Sequence, residues 1–102
     1  MDLHPPLYNV TAFSIVGPYE LDVTFDDGLT QRVNLSEFLE GLEGGLFGPL
    51  NDQDVFNGVR LDEECHNLVW PNGADFDPAT LHDWPEVKGA MIAMAREWAA
   101  RG

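Results

Sequence analysis

The chain has 102 residues, enough for one hydrophobic core and too few for two. Hydrophobic residues make up 44% of it and eleven are aromatic, which excludes a disordered chain. Eighteen Asp and Glu against five Lys and Arg leave a formal net charge of −13, which argues against direct binding to nucleic-acid phosphates or anionic membranes and favours a basic protein partner or a cation.

Residues 1–7, MDLHPPL, read as a loose lead-in, because adjacent Pro5 and Pro6 cannot join a ladder. In VTAFSIV, Val10, Ala12, Ser14 and Val16 alternate with Thr11, Phe13 and Ile15, and Gly17-Pro18 then turns the chain. In YELDVTF, period two sets Tyr19, Leu21, Val23 and Phe25 against Glu20, Asp22 and Thr24, the pattern of a half-buried strand. Asp27-Gly28 reads as a two-residue type I′ hairpin turn, which needs positive φ at both positions. LTQRVNL returns with Leu29, Gln31 and Val33 on one face. Asn34 and Glu37 then have capping-box spacing, with Ser36 as the other candidate cap. Leu35, Phe38, Leu39 and Leu42 follow at helical spacing up to a stop at Gly44-Gly45.

LFGPLNDQDVF reads as an irregular connection with buried Leu46, Phe47 and Leu50. VFNGVRL and HNLVW, on either side of the acidic DEEC, read as a second hairpin. In WPNGADFDP, Pro71, Asn72 and Gly73 carry turn chemistry, and Asp77-Pro78 is an N-cap followed by a Pro at N1. A short helix over ATLHDW ends before Pro85. From Pro85 onward Val87, Ala90, Met91, Met94, Ala95 and Trp98 mark an amphipathic helix, with Ile92 off the stripe. Charge divides at the same point: residues 1–84 hold sixteen acids and two bases, residues 85–102 two acids and three bases. The expected fold is α+β, a twisted antiparallel sheet of about five strands with helices on one face and an amphipathic C-terminal helix. Residues 1–84 form the acidic domain, and the helix over 85–102 packs on that domain or at a dimer interface.

YELDVTFDDG, VNLSEFL, FNGVRLD and WPNGADFDPATL, in that order, resemble the prokaryotic family called domain of unknown function 2442. The resemblance covers roughly residues 8–84 and is most specific from Trp70 to Asp75. It implies a small α+β domain on an antiparallel sheet, with no established activity. Members that carry a helix-turn-helix domain, or lie beside another small domain, imply a regulator or an antitoxin-like partner by association. Two departures stand out. His82 takes the place of an aromatic, usually Tyr, and the tail from Pro85 is too short for a helix-turn-helix domain, so DNA binding is not inherited.

Chemistry-bearing residues are sparse. The single Cys65 excludes an internal disulfide, and no basic-then-apolar leader opens the sequence, so the expected location is cytoplasmic. His4, Cys65, His66 and His82 lack zinc spacing, and NDQDVFNG lacks the closing Glu of a calcium loop. Asp26/Asp27, Asp52/Asp54, Asp62/Glu63/Glu64, Asp75/Asp77 and Asp83/Glu86 read as solvated loop acids. No nucleophile elbow or phosphate loop is present, so no catalytic residue, metal or cofactor is assigned. The expected function is a non-catalytic interaction or regulatory module binding a basic protein. Candidate contacts are Trp70, Asn72, Asp75 and His82 at the corner, with Met91, Ile92, Met94 and Trp98 for self-association as a homodimer. The rivals are an acidic decoy of a nucleic-acid-binding protein and a small enzyme with a cleft beside Trp70.

Overall fold

A computed structural model describes residues 8–101; the lead-in expected over residues 1–7, with His4, lies outside them. Three strands, β1 (Val10–Gly17), β2 (Glu20–Phe25) and β3 (Thr30–Asn34), form an antiparallel meander in the order β1-β2-β3. The period-two pattern sets its faces. Leu21, Val23, Phe25 and Val33 are buried on the inner face, and Phe13 and Ile15 share that face because they pair with Val23 and Leu21. The outer face is polar: Arg32 makes a bidentate pair with the directly opposite Asp22, and the Thr24 and Thr30 hydroxyls meet at 3.0 Å.

The turn at Pro18 puts Tyr19 in the left-handed region, φ 56°, where a glycine is expected. Its side chain is anchored in return. The ring meets Phe56 edge-on at 5.5 Å, and the hydroxyl donates to the Asn51 carbonyl. The second turn differs from the type I′ expectation. Only Gly28 has positive φ (89°), Gly28 N–H donates to Phe25 C=O at 3.0 Å, and Phe25 N–H donates to Leu29 C=O at 2.9 Å. That is a type I turn closed by a glycine bulge, a three-residue loop in which only its last residue must be left-handed.

The capping box expected from Asn34 and Glu37 does not form: Leu35 is the N-cap of the next helix, and Asn34 makes an Asx turn just before it. The Asn34 Oδ1 accepts from the Ser36 N–H at 2.9 Å, and helix α1 (Ser36–Leu39) lasts only one turn, ending well before Gly44-Gly45. Phe38, Leu39 and Leu42 are still buried. A 3₁₀ turn (Gly48–Asn51) and helix α2 (Gln53–Asn57) follow, so Val55 and Phe56, read as the start of a strand, are helical. Asp52 is the reason: its side chain accepts from the Asp54 N–H and starts a helix that β-favouring residues alone do not announce. The expected burial of Leu46 is also corrected, since it is 48% exposed while Leu50 is fully buried.

The second hairpin is short, β4 (Arg60–Asp62) against β5 (Asn67–Val69). Five strands are therefore present, but in a three-stranded and a two-stranded sheet rather than one. A single backbone bond, Val10 N–H to His66 C=O at 2.8 Å, bridges the two sheets. Helix α3 (Pro78–His82) starts on the Asp77 cap, whose Oδ1 accepts from the Ala79 N–H at 2.9 Å. The break before the last helix falls one residue earlier than expected. Trp84 opens α4 (Trp84–Arg101) and is buried within the core, 3% exposed. α4 lies against α1, burying Ala95 and half-burying Val87, Met91, Ile92 and Ala99. Ile92 thus belongs to the packed stripe, while Ala90 and Met94 face outward. Among the described residues, no helix is long and apolar enough to cross a membrane.

Candidate functional site

The 70–78 corner is built like the β2–β3 loop. Gly73 N–H donates to Trp70 C=O and Trp70 N–H to Ala74 C=O, both at 2.9 Å, with Gly73 at φ 87°. In each loop the residue before glycine holds the turn from its side chain. Asp27 Oδ1 accepts from Leu29 N–H at 3.0 Å, and Asn72 Oδ1 from Ala74 N–H at 3.2 Å. Each also reaches a distant segment: Asp27 Oδ2 faces His82 Nε2 at 2.7 Å, and Asn72 Nδ2 donates to Leu46 C=O at 2.8 Å.

Of the residues proposed at this corner, Trp70 is 1% exposed, its indole N–H donating to Phe56 C=O at 3.0 Å. Asp75 is exposed and forms a backbone bridge with Val69. His82 is the last residue of α3, where its ring stacks on Tyr8 (centroids 3.7 Å, 9°) and meets Phe25 edge-on at 4.9 Å. The imidazole thus keeps the stacking role expected of an aromatic here. It adds two polar bonds, Nδ1 to Asp83 at 2.8 Å and Nε2 to Asp27. Two carboxylate partners suit a doubly protonated ring. The Asp83 bond chiefly, then Asp27, holds the imidazole above its ordinary range despite burial. The Leu29 N–H chiefly, then His82, holds Asp27 below its own.

A concavity lies elsewhere. Residues 41–47 and the end of α4 enclose a groove of about 720 Å³, with Leu42, Leu46, Phe47, Trp98 and Ala99 as apolar lining and Glu43 on the wall. Trp98 lies parallel to Phe47 with centroids 6.3 Å apart. Phe47 continues to Phe76 at 4.8 Å, and Phe76 to Trp70 at 5.8 Å. The aromatic column therefore has a buried end at Trp70 and an exposed end at Trp98, which is 39% exposed. Asn72 holds the groove's loop through Leu46, so Asn72 and Trp98, from separate candidate sets, meet at this loop. Asp75 and His82 do not line it. Of the helix set, Met94 is exposed, whereas Met91 and Ile92 are packed against the core. Sequence reasoning missed the 41–47 loop as a site. The available signal was Leu46-Phe47 flanked by glycines in GLEGGLFG, large apolar residues with no helix or strand period to bury them.

Among the described residues, Asn67 is the one buried polar side chain, and every Asp and Glu is at least partly exposed. None of the His, Cys, Asp and Glu side chains there form a group of three placed to hold one metal ion. A smaller hollow of about 320 Å³ carries Arg32 and Lys88 beside Glu37. Trp70 lines neither concavity. No curated protein and no solved structure matches the chain. A family model does match, over residues 10–85, spanning the meander, both hairpins and the 70–78 corner: the chain belongs to the family described as protein of unknown function (DUF2442).

Proposed function

We propose that the chain is a non-catalytic protein-interaction module that takes an apolar segment of a basic partner into the groove between residues 41–47 and Trp98. The observation that carries this reading is the groove itself. Leu46 at 48% and Trp98 at 39% exposure line a concavity whose one charged lining residue is Glu43. An exposed aromatic beside flexible apolar contacts is the composition of an interface anchor. The net charge of −13 favours approach by a cationic protein and disfavours nucleic acid. Exposed acids spread over loops supply no pair of carboxylates with separated environments for acid–base work. As the binding half of a regulator or antitoxin-like pair in the cytoplasm, the module recognises its partner through shape at the groove and sign of charge around it.

A photo-crosslinking residue at Leu46, and in a second protein at Thr24 on the polar sheet face, tests the assignment in cells producing the native chain. A discrete adduct from position 46 that is absent from position 24 is expected, and Trp98→Glu abolishes it. Equal adducts from both positions refute the groove. An association that vanishes between about 0.1 and 1 M salt identifies an acidic decoy instead, because a groove contact buries apolar surface that salt does not screen.

A further inference from the structure

The meander has two outer strands, β3 and β1. β3 touches α3, its Gln31 side chain donating to the His82 carbonyl at 2.9 Å, and it carries the charged Arg32 at an exposed position. β1 pairs with β2 on one side. On the other, the β4–β5 hairpin packs near its start, and among the described residues its one backbone bond there is Val10 N–H to His66 C=O. Edge strands are ordinarily protected by lysines, prolines, inward charges or bulges. β1 has register shifts towards both ends but no proline and no charge: VTAFSIVG carries no charged residue in a chain with twenty-three. Ile15 is 40% and Val16 42% exposed. Register shifts flank residues 12–15, leaving those four regular.

We propose that this edge pairs antiparallel with β1 of a second copy, joining two three-stranded sheets into one of six strands. The strand is complementary to itself. A two-fold axis at Ser14 sets Phe13 opposite Ile15 of the other copy, on the inner face, and Ala12 opposite Val16. Each large exposed apolar residue then meets an apolar partner, and no like charges are opposed. Charge favours this occupant over a basic protein. A neutral strand offers a cationic partner nothing that the acidic loops do not offer better, whereas two copies at −13 each approach most easily along an uncharged strip. The surface is separate from the groove and does not depend on its assignment.

A contact this small gives a weak dimer, with dissociation on the order of 10 µM or above. It also has an unusual signature: association strengthens with salt, because screening removes the repulsion between two acidic bodies. Sedimentation equilibrium of the full chain, from about 10 µM to about 1 mM at low and at about 0.15 M salt, reads both properties. The expected result is a monomer–dimer equilibrium that shifts toward dimer with salt. Ile15→Glu weakens it at least tenfold and Trp98→Glu leaves it unchanged. Should Ile15→Glu fail to fold by circular dichroism, Val16→Glu takes its place. Amide exchange of the unmodified chain gives an independent readout, with β1 amides slowing as concentration rises. A monomer at every concentration overturns the proposal. So does a dimer that survives Ile15→Glu and dissolves with Trp98→Glu, which places the contact on α4.

Discussion

His82 shows how one side chain couples parts of the chain that sequence proximity does not relate. Its ring is 13% exposed, while its partners Asp27 and Asp83 are 43% and 48% exposed, so solvent moderates both pairs. The direction of the pH effect follows from the two perturbed groups. Below the ordinary imidazole value of 6.5 His82 is protonated whether folded or not, and its contribution is fully present; it is lost as pH rises through the higher folded value. Asp27 contributes above 3.8 and loses that contribution as pH falls through its lower folded value. His82→Phe keeps a ring between Tyr8 and Phe25 and removes both polar bonds. Denaturant unfolding across pH is expected to show the variant less stable between those two values, with the gap narrowing on either side. A gap independent of pH assigns the residue to stacking alone. None of this was legible in the sequence, where Asp27 and His82 stand fifty-five positions apart and only the aromatic expectation at 82 hinted at a packed ring.

Turns and caps were the most legible elements, because their chemistry is local. Asp77-Pro78 starts α3 as read, whereas Asn34 forms an Asx turn ahead of α1 rather than its cap. The glycine at each three-residue loop was identified correctly, although the turn type was not. Gly73 tests this directly. A Cβ built there meets nothing within 4 Å, so Gly73→Val is opposed by backbone conformation alone, at φ 87°. The expected cost is about 1–2 kcal/mol in thermal unfolding, with Gly73→Asn costing much less. Equal midpoints for all three proteins are the contrary outcome. Elements were misread where tertiary contacts overrode local pattern. α2 takes in Val55 and Phe56, which favour strands, and α4 turns Ile92 inward because its packing partner is α1 rather than the sheet.

On the scale of the whole molecule, the strand count was legible and the division between sheets was not. β4 and β5 are three residues each; they pack beside β1 and share one backbone bond with it, too little to extend the meander. The charge was legible in full, and its spread over partly and fully exposed positions has a thermodynamic consequence. Eighteen acids repel one another across the surface, against a few local ion pairs such as Arg32–Asp22 and Arg101–Glu97. The melting midpoint is therefore expected to rise by a few degrees between about 0.01 and 0.15 M sodium chloride, as the screening length falls from about 30 to 8 Å. A midpoint that falls shows that the local pairs dominate. The groove was invisible at this scale because its walls come from a glycine-rich loop and a helix end far apart in the chain.

The paired loops carry a rule about permitted variation. Their backbone accepts Asp or Asn equally before the glycine, so the choice between carboxylate and amide is dictated by what waits at the far end: an imidazole nitrogen for Asp27, a carbonyl oxygen for Asn72. Exchanging the two letters would leave both corners folded. It would set an anion against a lone pair at Leu46, unfastening that remote tether, and would exchange an ion pair at His82 for a neutral amide contact, while every local bond persists.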